Sequence, residues 1–193
     1  SLDRRQRQMC IRDRLLGLSS YTVNAQNFTV NIEKSTVYWL GKKITGEHYG
    51  YINISNGKMS IVNNQISSGK FTIDMNSMTC TDIEDQSMNK KLLGHLKSDD
   101  FFGTSKYPTA QLEIVSATEF NSNKCTVKGK LTIKGKTELI TFEVNKDQSY
   151  YSTKLEIDRS KYDVRYGSTS FFDSLGNRAI DDIFTLEIKL YVN

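Results

Sequence analysis

Apolar and polar residues alternate along most of the chain, a period of two that reads as half-buried β-strand. The cleanest run spans residues 124–134. Cys125, Val127, Gly129, Leu131 and Ile133 fall on one face, and Lys124, Thr126, Lys128, Lys130, Thr132 and Lys134 on the other. The same alternation carries Ile52 and Ile54, Met59 and Ile61, Phe71 to Met75, Ala110 to Ile114, Ile140 to Val144, Tyr151 to Ile157, and Phe184 to Val192. Thr36–Ile44 is also β-rich, with apolar residues at both parities, and holds the only tryptophan, Trp39. Asn56-Gly57 sits between two alternating runs and predicts a tight hairpin, whose central positions need φ > 0. Short turns predict antiparallel neighbours. About eight strands with one apolar face predict a sheet that closes on itself and so removes its edges. The expected fold is all-β: an antiparallel eight-stranded barrel with one short helix and irregular segments capping its ends. A barrel of that size can hold a small apolar ligand.

The pattern breaks once at length, over residues 91–108, KLLGHLKSDDFFGTSKYP. Met88, Leu92, Leu93 and Leu96 recur at helical spacing and predict a short amphipathic helix. Ser98, Asp99 and Asp100 end it with turn chemistry. Phe101 and Phe102 then place two large rings side by side, as a plug over one end of the barrel would. Pro108, the only proline, fits the entry to a strand because no ladder donor is needed there. A second irregular segment, residues 158–180, contains another Phe-Phe pair, Phe171 and Phe172.

Charge changes the picture little. The chain has 26 basic and 22 acidic residues. Most of the excess sits in the first 25 residues, with five arginines and two aspartates. The rest is nearly neutral, which argues against a nucleic-acid binder driven by a positive field. No apolar run is long enough for a membrane-spanning helix. Residues 1–25 are set apart as a non-native, adapter-like segment followed by the end of a signal peptide: RQMCIRDR (7–14) resembles a translated sequencing-library adapter, and Val23-Asn24-Ala25 has small residues where a signal peptidase reads. Residues 26–193 are expected to form a single domain, acting in the periplasm or outside the cell. Cys80 and Cys125 are expected to be free, buried thiols rather than a disulfide.

Several segments resemble the YceI-like family of polyisoprenoid-binding, lipocalin-like exported proteins: GKKITGEHYG (41–50), DMNSM (74–78), KLLGHLKSDDFF (91–102), KYP (106–108), GKLTIKG (129–135), DRSKYDVRYGS (158–168) and FFDSLGNRAI (171–180). They occur in the family's order over residues 30–193. The resemblance implies an extended antiparallel barrel around an apolar tunnel that binds isoprenoid chains.

A long apolar ligand needs an apolar tunnel for its tail and polar groups for its head. Trp39, Phe101, Phe102, Phe171 and Phe172 are the candidates for the tail. Beyond residue 25 the chain has only three arginines, Arg159, Arg165 and Arg178, all within 20 residues, against 18 lysines. A guanidinium is a rigid fork of donors suited to phosphate or carboxylate, so these three and His48 are the candidates for the head. No catalytic motif is present and no catalytic residue is assigned. Two histidines, His48 and His95, cannot make a three-histidine metal site, and neither metal nor cofactor is expected. The expected function is non-enzymatic binding or transport of a long apolar ligand, an isoprenoid lipid or quinone, with no nucleic-acid partner; a homodimer is left open. The alternatives are an enzyme built on a histidine and a carboxylate, and a ligand-free barrel that works through protein contacts.

Overall fold

The computed structural model describes residues 25–193. They form nine β-strands and one α-helix: β1 (Ala25–Thr29), β2 (Thr36–Lys43), β3 (Gly46–Val62), β4 (Gln65–Asp74), α1 (Gln86–Lys97), β5 (Thr109–Ala117), β6 (Lys124–Ile133), β7 (Lys136–Lys146), β8 (Tyr150–Asp158) and β9 (Ile180–Tyr191). The sheet order is β1-β3-β2-β9-β8-β7-β6-β5-β4, and β4 returns to β3 to close the ring. β1 and β2 pair with successive stretches of β3, Thr29 opposite Lys58 and Val37 opposite Ile52. They are two halves of one wall, and Val30 between them bridges to Val192. The chain is therefore an antiparallel eight-stranded closed barrel with one helix. The adapter and signal-peptide readings fall outside the described residues, apart from Ala25, which opens β1.

The hairpin expected at Asn56-Gly57 does not form. Both residues lie inside the 17-residue β3, and the turn comes at Asn63-Asn64, where φ is 49° and 61°. Asparagine tolerates the left-handed region and so supplies both turn positions. Gly57 serves close packing instead. Its carbonyl accepts from Val30 N at 2.9 Å, and a Cβ there would run into Val30 and the Phe71 ring. The register also shifts between Ile54 and Asn56, a bulge that lets β3 bend around the barrel.

The helix and the plug form as the spacing predicts. The Asp85 carboxylate caps α1 by accepting from Met88 N at 2.8 Å. Asn89 Nδ2 donates to the carbonyls of Cys80 and Ile83, tying the first turn to the preceding segment. Lys97 Nζ donates to Asn76 O at 2.7 Å and pins the other end. Met88 stays exposed, while Leu93 and Leu96 pack on the core. Phe101 is buried with its ring 5.3 Å from that of Phe102. Pro108 precedes β5 and accepts from Met75 N through its carbonyl.

The wall is uneven. β6 and β7 pair along their whole length, from Lys124–Asn145 to Ile133–Lys136. β8 meets β7 only at Asn145–Ser152 and Lys146–Tyr151. Past that point the strands separate, and Thr153 Oγ1 donates across the gap to Glu143 O at 2.7 Å. Tyr162, in the turn that follows β8, is almost fully buried.

Candidate functional site

The barrel is not filled by its own side chains. A cavity of about 250 Å³ lies inside it, somewhat below the roughly 300–1,000 Å³ common for small-molecule sites. Val37 and Trp39 of β2, Phe184, Leu186 and Ile188 of β9, and Phe142 of β7 form part of its wall. Leu92 and Leu96 of α1, with Phe101 and Phe102, cover one end. Alternation produces this lining directly, since each strand turns every second side chain inward. Most of the polar lining residues belong to the helix-capped end: Lys42, Lys43, His48, His95, Arg159 and Asp181. They sit near the β2–β3 turn, α1 and the start of β9. Ser152 and Thr153 also touch the cavity, at the gap between β7 and β8.

His48 stands at the helix-capped end in a fixed pose. Its Nδ1 lies 2.7 Å from Asp82 Oδ2, and the other carboxylate oxygen accepts from Tyr49 N at 2.9 Å and from Cys80 Sγ at 3.2 Å. Burial alone would raise the Asp82 pKa. The bonds from Tyr49 N, His48 and Cys80 outweigh it and hold the carboxyl below its ordinary value. The segment that brings Asp82 here runs along the free edge of β3, with Thr79 N and Thr81 N donating to Tyr51 O and Tyr49 O. Gly50 permits the approach, because a Cβ would overlap the Thr79 carbonyl. Trp39 Nε1 donates to that same carbonyl at 2.9 Å, which fixes the indole against the cavity.

The three arginines part company. Arg159 lines the cavity but is 2% exposed and held by the backbone. It donates to the carbonyls of Asp181, Val164, Tyr166 and Ile180 at 2.9–3.1 Å, and Nη2 pairs with Asp182 Oδ1 at 3.3 Å. Four hydrogen bonds go to backbone carbonyls, and its face lies 5.3 Å from the Phe101 ring centre. Burial lowers its pKa, opposed by Asp182, Asp181 and Asp158. Asp182 is also pushed up by burial, but Ser168, Ser170 and Arg159 hold it below the usual carboxylate range. Arg165 and Arg178 line a separate polar depression on the outside of the barrel, with Asp99, Lys134 and Phe172. Arg165 Nε pairs with Asp163 at 2.5 Å and lies over the Phe171 ring.

Of the rings singled out in the sequence, Trp39, Phe101 and Phe102 line the cavity. Phe171 and Phe172 do not; they project from the outer loop and are 40% and 49% exposed. Cys80 and Cys125 are both buried and unpaired, and burial pushes the Cys125 thiol up to about 11. Sequence reasoning missed Asp82, which carries no motif and meets His48 only because residues 79–82 replace β4 along the edge of β3. The alternation of Phe184, Leu186 and Ile188 does mark them as an inward face.

Three comparisons place this geometry. The family model for the YceI-like domain matches residues 21–192. A UPF0312 protein from Shewanella denitrificans is 28% identical over 96 residues, a match that spans half of this chain and 48% of that relative. The crystal structure of Burkholderia cenocepacia BcnA superposes with a TM-score of 0.67 at 26% identity, covering 85% of this chain and 99% of that one. A polyisoprenoid binding domain from Saccharophagus degradans, implicated in plant cell wall breakdown, shares the fold with a TM-score of 0.56 at 15% identity, over 86% and 97% of the two chains. A closed antiparallel barrel around an apolar cavity, matched to one family model over residues 21–192, makes this chain a member of the YceI-like family.

Proposed function

We propose that the protein binds a long apolar ligand, an isoprenoid lipid or quinone, and carries it without chemically changing it. The observation that carries this reading is the cavity: enclosed by the barrel wall, lined almost wholly by apolar side chains, and polar mainly at one end. Family membership supports it, as does the fold shared with a domain described as polyisoprenoid-binding. The tail lies against Trp39, Leu186 and Ile188, under Phe101 and Phe102. The head sits at the mouth beside His48, whose Nδ1 is held by Asp82 so that Nε2 is turned to other partners. Arg159, bonded to four carbonyls and paired with Asp182, shapes the wall rather than gripping an anion. The setting we propose is the cell envelope, periplasmic or secreted, in keeping with the signal-like residues 15–25.

The His48–Asp82 pair is the arrangement that favours an enzyme instead, since a carboxylate orients an imidazole for proton transfer. Among the described residues no hydroxyl nucleophile bonds to His48, and burial followed by Asp82 raises the pKa of the neighbouring Cys80 thiol. A positioned hydrogen-bonding group is the better account. Native mass spectrometry on detergent-free protein from a bacterial envelope fraction, with solvent extraction of any adduct, tests the proposal. A prenyl chain bound one to one is expected. Leu186→Trp, which fills the cavity from β9, should lose the adduct while the barrel stays folded. An adduct that survives the filled cavity would place the ligand elsewhere.

A further inference from the structure

The cavity is not equally deep along every wall. On β6 its lining ends at Leu131, which pairs with Glu138 of β7 near the helix-capped end. On β7 the lining continues to Val144, on β8 to Tyr151 and on β9 to Leu190. Tyr151 is the one aromatic residue of these three, and it stands where the cavity stops. Behind it lies Phe120, with the ring centres 6.1 Å apart. Phe120, Cys125 and Val127 belong to the packed cluster rather than to the cavity wall. Tyr151 and Phe120 are both buried.

The two rings are held from several sides. Tyr151 pairs with Leu190 of β9 on one edge and with Lys146 of β7 on the other, in the short stretch where β7 and β8 are still laddered. Phe120 N donates to Asn64 O, and Asn64 Nδ2 donates to Phe120 O, both at 3.0 Å. Lys146 Nζ lies over the Phe120 ring, 5.6 Å from its centre. The Tyr151 ring is therefore backed by one whose main chain is pinned. An apolar chain with its head beside His48 runs along β8 and β9 until it meets Tyr151. We propose that Tyr151 is the stop that sets the length of chain the cavity accepts, a specificity-determining residue with Phe120 as its support. The inference rests on the carrier reading, in which the head is fixed at the other end. Each unit added short of the stop buries more apolar surface. A unit too many pushes the head off His48 or drives the chain into a close-packed wall.

Native mass spectrometry of the full chain with an equimolar mixture of all-trans prenols, from three to eight prenyl units long, tests it. Occupancy of the parent chain should rise with length, peak and then fall. Tyr151→Ala should move the peak to longer prenols by about one unit, because the neighbours of a truncated core side chain close only part of the space it leaves. Tyr151→Trp adds bulk at the same point and should move the peak about one unit the other way. It keeps a buried ring, so it carries the test if the alanine variant does not fold. Ile61→Ala loosens the core away from the cavity and should leave the peak in place. A peak that stays put in both Tyr151 variants, or that moves equally in Ile61→Ala, would overturn the stop and leave the carrier reading standing. A parent chain occupied equally by every length would overturn it too. A parent chain that takes up none of the prenols would withdraw the carrier reading, and the stop with it.

Discussion

At one end of the barrel Val30, Ile61, Phe120, Cys125 and Val127 pack into a dry apolar cluster. At the other, Arg159 is paired with Asp182 and His48 with Asp82. The apolar end is stabilised by removing surface from water, which needs no fixed direction. The polar end works by direction. A buried guanidinium bonded to four carbonyls holds two stretches of backbone, 164–166 and 180–181, in one arrangement. That rigidity lets the wall around the mouth stand without side chains filling the space behind it. Close packing at one end and a held polar frame at the other therefore bound the cavity between them.

The largest blow to the polar end is Arg159→Met, which strands Asp182 and four carbonyl oxygens. Losing one partner of a buried pair costs about 3–5 kcal/mol. Chemical denaturation should show a loss in that range, and bound ligand should be lost with it. Arg159→Lys should rescue little, because three donors on a flexible stem cannot replace a five-donor fork.

The apolar end is tested by two isoleucines. Ile61 is buried away from the cavity, while Ile188 lines it. Ile61→Ala should cost about 2–5 kcal/mol, the usual range for a buried truncation. Ile188→Ala should cost less, since part of its surface already faces empty space. Denaturant midpoints compare the two, and equal losses would mean that the interior is packed in solution.

A smaller effect separates the ends by pH. Asp82 has a depressed pKa in the folded protein. Its contribution is therefore complete above the unfolded carboxyl value of about 3.9 and is lost as pH falls through the lower folded value. Asp82→Asn should cost about 1.5–3 kcal/mol at pH 7, the range for hydrogen bonds to a charged group. The gap between parent and variant should close only in strong acid.

The barrel was legible in the sequence because strand alternation is local: Cys125 to Ile133 declare their inward face without reference to any other strand. The helix and its plug were legible for the same reason, through spacing and turn chemistry within 20 residues. What stayed hidden depends on contacts between distant positions. His48 and Asp82 are 34 residues apart and meet through an edge pairing that no pattern announces. Asn56-Gly57 misled because its composition fits a turn, while the glycine serves the approach of Val30. The arginine cluster was close in sequence, yet Arg159 turned inward to backbone carbonyls and Arg165 and Arg178 outward.

The separation of β7 from β8 gives the wall a mechanical character. A hoop paired all the way round can widen only by breaking ladder bonds. A ring already split along one line can open like a clip, and here the first bond to yield is the one from Thr153 Oγ1 to Glu143 O. Cargo girth is then set less by the resting cavity than by how far two strands can hinge, so guests of different thickness can share one barrel without repacking the other walls.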